Sequence, residues 1–139
     1  MSTIAFTVPG QPATKGRPRF AVNGKFVRTY TPDKTVEFEN LVKLAFMQSE
    51  GEKLSGAIGA TLTFCFQPPK SVSKKKRAEM LSGIAKPVTV PKDIDNLSKV
   101  VLDALNGIAY DDDRQVVALI ARKEYAEEAK TIVKLEEIK

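Results

Sequence analysis

Histidine and tryptophan are absent from this chain of 139 residues, and cysteine occurs once. Without an imidazole, histidine-ligated zinc hydrolases, Ser-His-Asp and Cys-His nucleophile systems and nucleases with a histidine general base are excluded by inventory. Whatever chemistry the chain performs falls to carboxylates and lysine. The lone Cys65 lies in the apolar run Ala60-Thr61-Leu62-Thr63-Phe64-Cys65-Phe66, which reads as a core strand with a structural thiol. One cysteine builds no disulfide framework, in keeping with a reducing cytoplasm. No run approaches the ~18 apolar residues of a membrane span, and no basic segment followed by a long apolar stretch opens the chain. The expectation is a cytoplasmic protein without membrane contact.

What is present amounts to one domain of ordinary size over residues 1–139, 42% hydrophobic, with a formal charge of +5 at pH 7. A basic balance suits a polyanionic partner. Ile4-Ala5-Phe6-Thr7-Val8 reads as a strand stopped by Pro9-Gly10, and a basic, proline-stiffened loop follows through Lys15, Arg17 and Arg19. Asn23-Gly24 between Phe20-Ala21-Val22 and Phe26-Val27-Arg28 predicts a hairpin with a two-residue turn, because both turn positions need positive φ. Apolar residues at helical spacing predict a helix from Pro32 to about Ser49, with Thr31 as N-cap. Residues 57–66 predict a strand halted by Pro68-Pro69. Ser73 then caps a basic helix, Lys74-Lys75-Lys76-Arg77-Ala78-Glu79-Met80-Leu81, which ends near Gly83. A loop over residues 85–92, a helix over 94–108, and two closing strands at 116–125 and 131–137 complete an α+β chain: a single two-layer domain with helices packed on one mixed or antiparallel sheet.

Within this basic chain the acidic residues are concentrated. Asp93-x-Asp95-Asn96-x-x-Lys99-x-x-x-Asp103 is followed by Asp111-Asp112-Asp113. At about 100° per residue, Ile94, Leu97, Val101, Leu102, Ala104, Leu105 and Ile108 fall on one arc of the 94–108 helix, and Asp95, Asn96, Lys99, Asp103 and Asn106 on the other. Asp and Asn are poorer helix formers than the Glu, Lys and Gln of an ordinary solvated face. Their short side chains hold oxygens close to a rigid backbone, as a metal or phosphate site requires. Each residue also has a plain reading: Asp93 and Asp95 as helix-capping and dipole-matching residues, Asp95 with Lys99 as an i,i+4 ion pair, and the aspartate triplet as a turn. Those readings, taken singly, leave the gathering itself unexplained. Mg²⁺ would explain it, since that ion takes hard oxygen ligands, usually one or two carboxylates plus phosphate oxygens. An EF-hand is excluded, because the sixth and twelfth positions counted from Asp93 are Ser98 and Ala104, and counted from Asp111 are Val116 and Arg122.

The run Lys92-Asp93-Ile94-Asp95-Asn96-Leu97-x-Lys99-x-x-Leu102-Asp103-Ala104-Leu105-Asn106-Gly107, then Tyr110-x-Asp112-Asp113-x-Gln115-Val116, resembles the signature of RusA-type Holliday junction resolvases. The opening Gly10-x-Pro12-x-x-Lys15-Gly16-Arg17-Pro18-Arg19, with Tyr30 and Thr31-Pro32 beyond it, is similar to that family as well. The resemblance implies a homodimeric, Mg²⁺-dependent endodeoxyribonuclease, with Mn²⁺ as a possible substitute, that nicks four-way DNA junctions symmetrically in recombination and repair. It carries catalytic and metal-binding roles onto Asp93, Asp95 and Asp113 and a catalytic role onto Lys99. Asn96, Asp103 and Asp112 become supporting residues, with Asp112 a further metal ligand in one version. Lys92 departs from the proline that often precedes the first aspartate in the family, and three consecutive aspartates blur the register of the second motif, where the Gln115-Val116 anchor favours Asp113 over Asp111.

Lys15, Arg17, Arg19, Lys25, Arg28, Lys74, Lys75, Lys76 and Arg77 are expected to grip DNA phosphates, with a solvated charged face as the alternative for the lysine run. Phe6, Phe64 or the C-terminal strand are the candidate dimer contacts. A nuclease for flaps or other branched DNA, and a catalytically silent DNA-binding module, are the competing functions.

Overall fold

The computed structural model describes residues 2–14, 19–23, 26–30 and 33–139. Strand β1 (Thr3–Pro9) buries Ile4, Phe6 and Val8 and turns the intervening residues outward, the period-two pattern of a half-covered strand. Strands β2 (Arg19–Asn23) and β3 (Phe26–Tyr30) form the expected antiparallel hairpin. Its register pairs Asn23 with Phe26 and Val22 with Val27, so the connection falls at 24–25, one position later than Asn23-Gly24. That placement keeps two β-branched residues opposite each other. The turn residues themselves, and Thr31 and Pro32 at the expected helix start, lie outside the described residues.

Helix α1 (Asp33–Gln48) buries Phe38, Val42, Ala45 and Phe46, and Phe46 meets Phe6 edge to face at 5.8 Å between centroids. Each fully buried aliphatic or aromatic side chain of this kind contributes about 1.5–3 kcal/mol relative to exposure. After the helix the left-handed position is Glu50, at φ 58°, rather than Gly51. Gly51 answers to space instead: a Cβ there would stand 3.0 Å from two atoms of Ile4.

Strand β4 (Ala57–Phe66), helix α2 (Lys74–Leu81), helix α3 (Ile94–Ala104) and strands β5 (Val116–Tyr125) and β6 (Lys130–Ile138) complete the chain. The sheet order is β1-β6-β4-β5, with β4 parallel to β5 and the other pairs antiparallel. Parallel neighbours cannot be joined by a hairpin, and the α2–α3 segment is the crossover that joins them. Helices α1 and α3 touch each other, α1 lies against β1 and α3 against β5, giving the two-layer α+β arrangement over one core.

Two expectations change. The helix expected over 94–108 ends at Ala104, because Gly107 takes φ +76° and the chain reverses there. Phe6 and Phe64 belong to the core, 8% and 0% exposed, so neither is a dimer contact. Strand β6 is paired along both edges, by β1 and β4, and offers only its outer face. Among the described residues no helix is long and apolar enough to cross a membrane.

Candidate active site

Asp93 is the N-cap of α3, with extended backbone (φ −74°, ψ 138°), and its carbonyl accepts the N–H of Leu97 at 3.0 Å. Its side chain makes no capping hydrogen bond, so ordinary N-capping does not account for the carboxylate. The helix buries Leu97, Val100, Val101 and Ala104, and also Ser98, whose hydroxyl donates to the Ile94 carbonyl at 2.7 Å. Asp95, Asn96 and Lys99 are left exposed and Asp103 half-buried on the opposite side. Ile94, assigned from periodicity to the apolar arc, stays 37% exposed in the first turn. No ion pair joins Asp95 to Lys99 among the described residues, the only pairs formed by aspartate or glutamate with lysine there being Lys53–Asp111 and Lys86–Glu124.

The segment after α3 is a hydrogen-bonded turn module. The Gly107 N–H donates to the Tyr110 carbonyl at 2.8 Å, and the fully buried Tyr110 donates its hydroxyl to the Leu102 carbonyl at 2.6 Å. Asp112 and Gln115 bracket a single 3₁₀ turn (Asp113–Gln115) as a capping box. The Asp112 carboxylate accepts the Arg114 N–H at 2.9 Å. The Gln115 side-chain oxygen accepts the N–H groups of Asp111 and Asp112 at 2.9 and 3.0 Å, while its amide nitrogen donates to the Gly56 carbonyl at 3.1 Å. Most directly, Asn106 Oδ1 accepts the backbone N–H of Asp113 at 2.7 Å. The helix end therefore fixes where the second acidic segment returns.

That return creates a hollow of about 320 Å³ walled by Asp95, Lys99, Asp103 and Asp113 on its polar side and by Leu102, Val116 and Leu119 on its apolar side. Burial first, then side-chain hydrogen bonds with Asp103 and Asp112 and their negative charges, hold the Asp113 carboxyl above the usual aspartate range. Like charges at short range penalise ionisation, and a cation would relieve them. The backbone N–H of Arg114 does the reverse for Asp112, holding it below that range. Burial, followed by the charges of Asp113, Asp103 and Asp112, raises the Tyr110 phenol, so it stays a donor.

Of the sequence-derived residues, this hollow brings together Asp95, Lys99, Asp103 and Asp113. Asp93 and Asp112 are not among its walls, and Asp111 is drawn away into an ion pair with Lys53. Among the described residues no three carboxylate or thiol groups stand close enough to enclose a metal by themselves. A Mg²⁺ ion does not need such a cage, because two carboxylates plus water and phosphate oxygens suffice. Asp103, expected as a supporting residue, lines the hollow itself, and Asn106, Tyr110 and Gln115 are the groups that hold the Asp113 segment in place. The Asp112-x-x-Gln115 spacing, which is that of a capping box, was the available sequence signal for the last of these.

Lys74, Lys75, Lys76 and Arg77 are all exposed on α2, whose N-terminus is capped by Ser73 accepting the Lys76 N–H at 3.2 Å. Lys15, Arg17 and Lys25 lie outside the described residues. Arg19 and Arg28 stand in the β2–β3 hairpin opposite Tyr30 and Ala21. Lys92 is tied down: its ammonium donates to the Pro12 carbonyl at 2.6 Å and lies 5.9 Å from the centroid of the Phe66 ring. Burial, then the charge of Lys34, keep it below the usual lysine range.

Residues 9–136 match the family model described as Endodeoxyribonuclease RusA. The chain is also similar to the uncharacterized protein YqaN of Bacillus subtilis (strain 168), with 38% identity over 141 residues covering 99% of each chain.

Proposed function

The chain belongs to the RusA endodeoxyribonuclease family, and on that premise we propose that it is a Mg²⁺-dependent endonuclease that resolves four-way (Holliday) DNA junctions by paired symmetric nicks, working as a homodimer in recombination and repair. The observation that carries this reading is the convergence of Asp95, Asp103 and Asp113 with Lys99 on one hollow, with Asp113 pinned by Asn106. Aspartate oxygens are the hard donors that Mg²⁺ takes, and Mn²⁺ is a reasonable substitute. Burial and then the neighbouring carboxyls of Asp103 and Asp112 raise the proton affinity of Asp113, and a bound cation would offset the second of these effects.

Asp95, Asp103 and Asp113 would hold the ion, with Asp93 and Asp112 adjoining them in the chain. When bound, it supplies a water of lowered pKa and charge stabilisation at the scissile phosphate. Lys99, lining the same hollow and in no ion pair among the described residues, orients the phosphate or the attacking water. Leu102, Val116 and Leu119 supply the apolar part of the lining. Lys74, Lys75, Lys76 and Arg77 on α2 and the basic residues of the N-terminal loop and hairpin grip flanking phosphates, releasing counterions on binding. Two symmetric nicks need two sites, hence two copies.

The test incubates pure protein with synthetic four-way, three-way, flap and linear DNA in Mg²⁺ or in EDTA, beside the Asp95→Asn variant. Paired nicks restricted to the four-way substrate, dependent on Mg²⁺ and lost in the variant while binding persists, are expected. Cutting of flaps instead would replace the substrate, and retention of DNA without any cut would leave only a binding module.

A further inference from the structure

A second hollow, about 410 Å³, reaches the segment that leads into α3. Its walls come from Gln11, Pro12 and Ala13 after β1, from Lys34, Glu37, Phe38 and Leu41 on α1, and from Lys92, one residue before Asp93. Two lysines thus line one cavity. Neither forms an ion pair among the described residues, and Glu37, the one carboxylate on the wall, joins neither. Lys92 is not a wandering surface lysine: its bond to the Pro12 carbonyl at 2.6 Å holds it across 80 positions of sequence, and an ammonium carries two further N–H groups. The Thr35 hydroxyl donates to the Thr14 carbonyl at 3.0 Å, so the segment 11–14 is anchored at two points, to Lys92 just before α3 and to α1. The cavity is therefore preorganised, cationic by one net charge, and adjacent in the chain to the acidic site.

We propose that this hollow is a binding subsite for a phosphate group of the nucleic-acid backbone, held by Lys34 and Lys92, distinct from the acidic hollow that would take the scissile phosphate. It rests on the nuclease reading above, and extends it by naming two lysines that the basic loop, hairpin and α2 do not include. The tethered Lys92 together with Lys34 on α1 would set which strand segment can lie across Asp93 and Asp95.

The experiment measures the affinity of the full-length protein for four-way junction DNA against salt concentration, for the wild type, Lys34→Gln and Lys43→Gln. Lys43 lies nine residues along α1, half a helical circumference away, and controls for simple loss of charge. Loss of one phosphate contact lowers the slope of log K against log salt by about 0.9. That decrease is expected in Lys34→Gln and not in Lys43→Gln; equal slopes, or equal decreases, overturn the subsite. In parallel, amide NMR shifts at Gln11, Ala13, Lys34 and Lys92 are followed on adding a short single-stranded oligonucleotide or inorganic phosphate. Shifts with the oligonucleotide support the proposal. Shifts with inorganic phosphate alone would make this a free-anion site and overturn it. Wild-type protein that binds no DNA at all would instead refute the nuclease reading, a different outcome.

Discussion

Asp113→Asn removes one carboxyl from a group in which Asp103 and Asp112 both raise its proton affinity, while the backbone N–H that Asn106 accepts is untouched. Two unit charges about 4 Å apart repel by roughly 1 kcal/mol in water and about 4 kcal/mol at an effective dielectric of 20. The hollow is open to solvent on one side, so the relief should fall near the lower end, about 1–2 kcal/mol. For a chain of this length that raises the melting temperature in EDTA by roughly 3–6 °C. Mg²⁺ at ten times its dissociation constant should stabilise the wild type by about 1.4 kcal/mol, because it binds the folded chain and not the unfolded one. The variant should lose most of that gain. Nicking should fall at least 100-fold, whereas junction binding should hold or tighten as a negative charge disappears from the DNA-facing side. Calorimetry or thermal denaturation with and without Mg²⁺, run beside a cleavage assay, makes the comparison. A variant that melts no higher than the wild type in EDTA, or that gains as much from Mg²⁺, would refute the idea that Asp113 sits in a cation-demanding cluster.

Asn106→Ala frees the Asp113 N–H and should cost about 1 kcal/mol of stability while slowing nicking without changing junction affinity; an unchanged nicking rate would show that Asp113 needs no such hold. The hydroxyl of Thr131 is fully buried with no hydrogen-bond partner among the described residues, so Thr131→Val should stabilise by about 1 kcal/mol in denaturant titration, and a loss would mean the hydroxyl is satisfied. Glu137 accepts the N–H of Ser55 at 2.9 Å and of Ser2 at 3.1 Å, and these bonds hold its carboxyl below the ordinary value of 4.5. A depressed folded-state pKa gives stability that is complete above that ordinary value and is lost as pH falls through the folded one. Melting temperature between pH 6 and pH 3 should therefore drop further for the wild type than for Glu137→Gln, and parallel curves would remove Glu137 from the acid response.

Local chemistry made much of this chain legible. The alternation of Ile4, Phe6 and Val8, the Ser73 cap, and the arcs of α3 depend on dihedral preference and on periods of 2 and 3.6, which any stretch of sequence carries within itself. So did the acidic motif, whose spacing pointed to a family and to a hard cation. Only the fold decided which of those carboxylates meet. Asp103, three turns from Asp93 on the same helix, faces Asp113 because Gly107 reverses the chain and Asn106 captures its backbone, and Asp111 is diverted to Lys53. The parallel pairing of β4 with β5, and the bond that carries Lys92 to Pro12, join residues far apart in sequence. Such contacts answer to shape and to the accounting of buried polar groups across the whole core, and no local period encodes them.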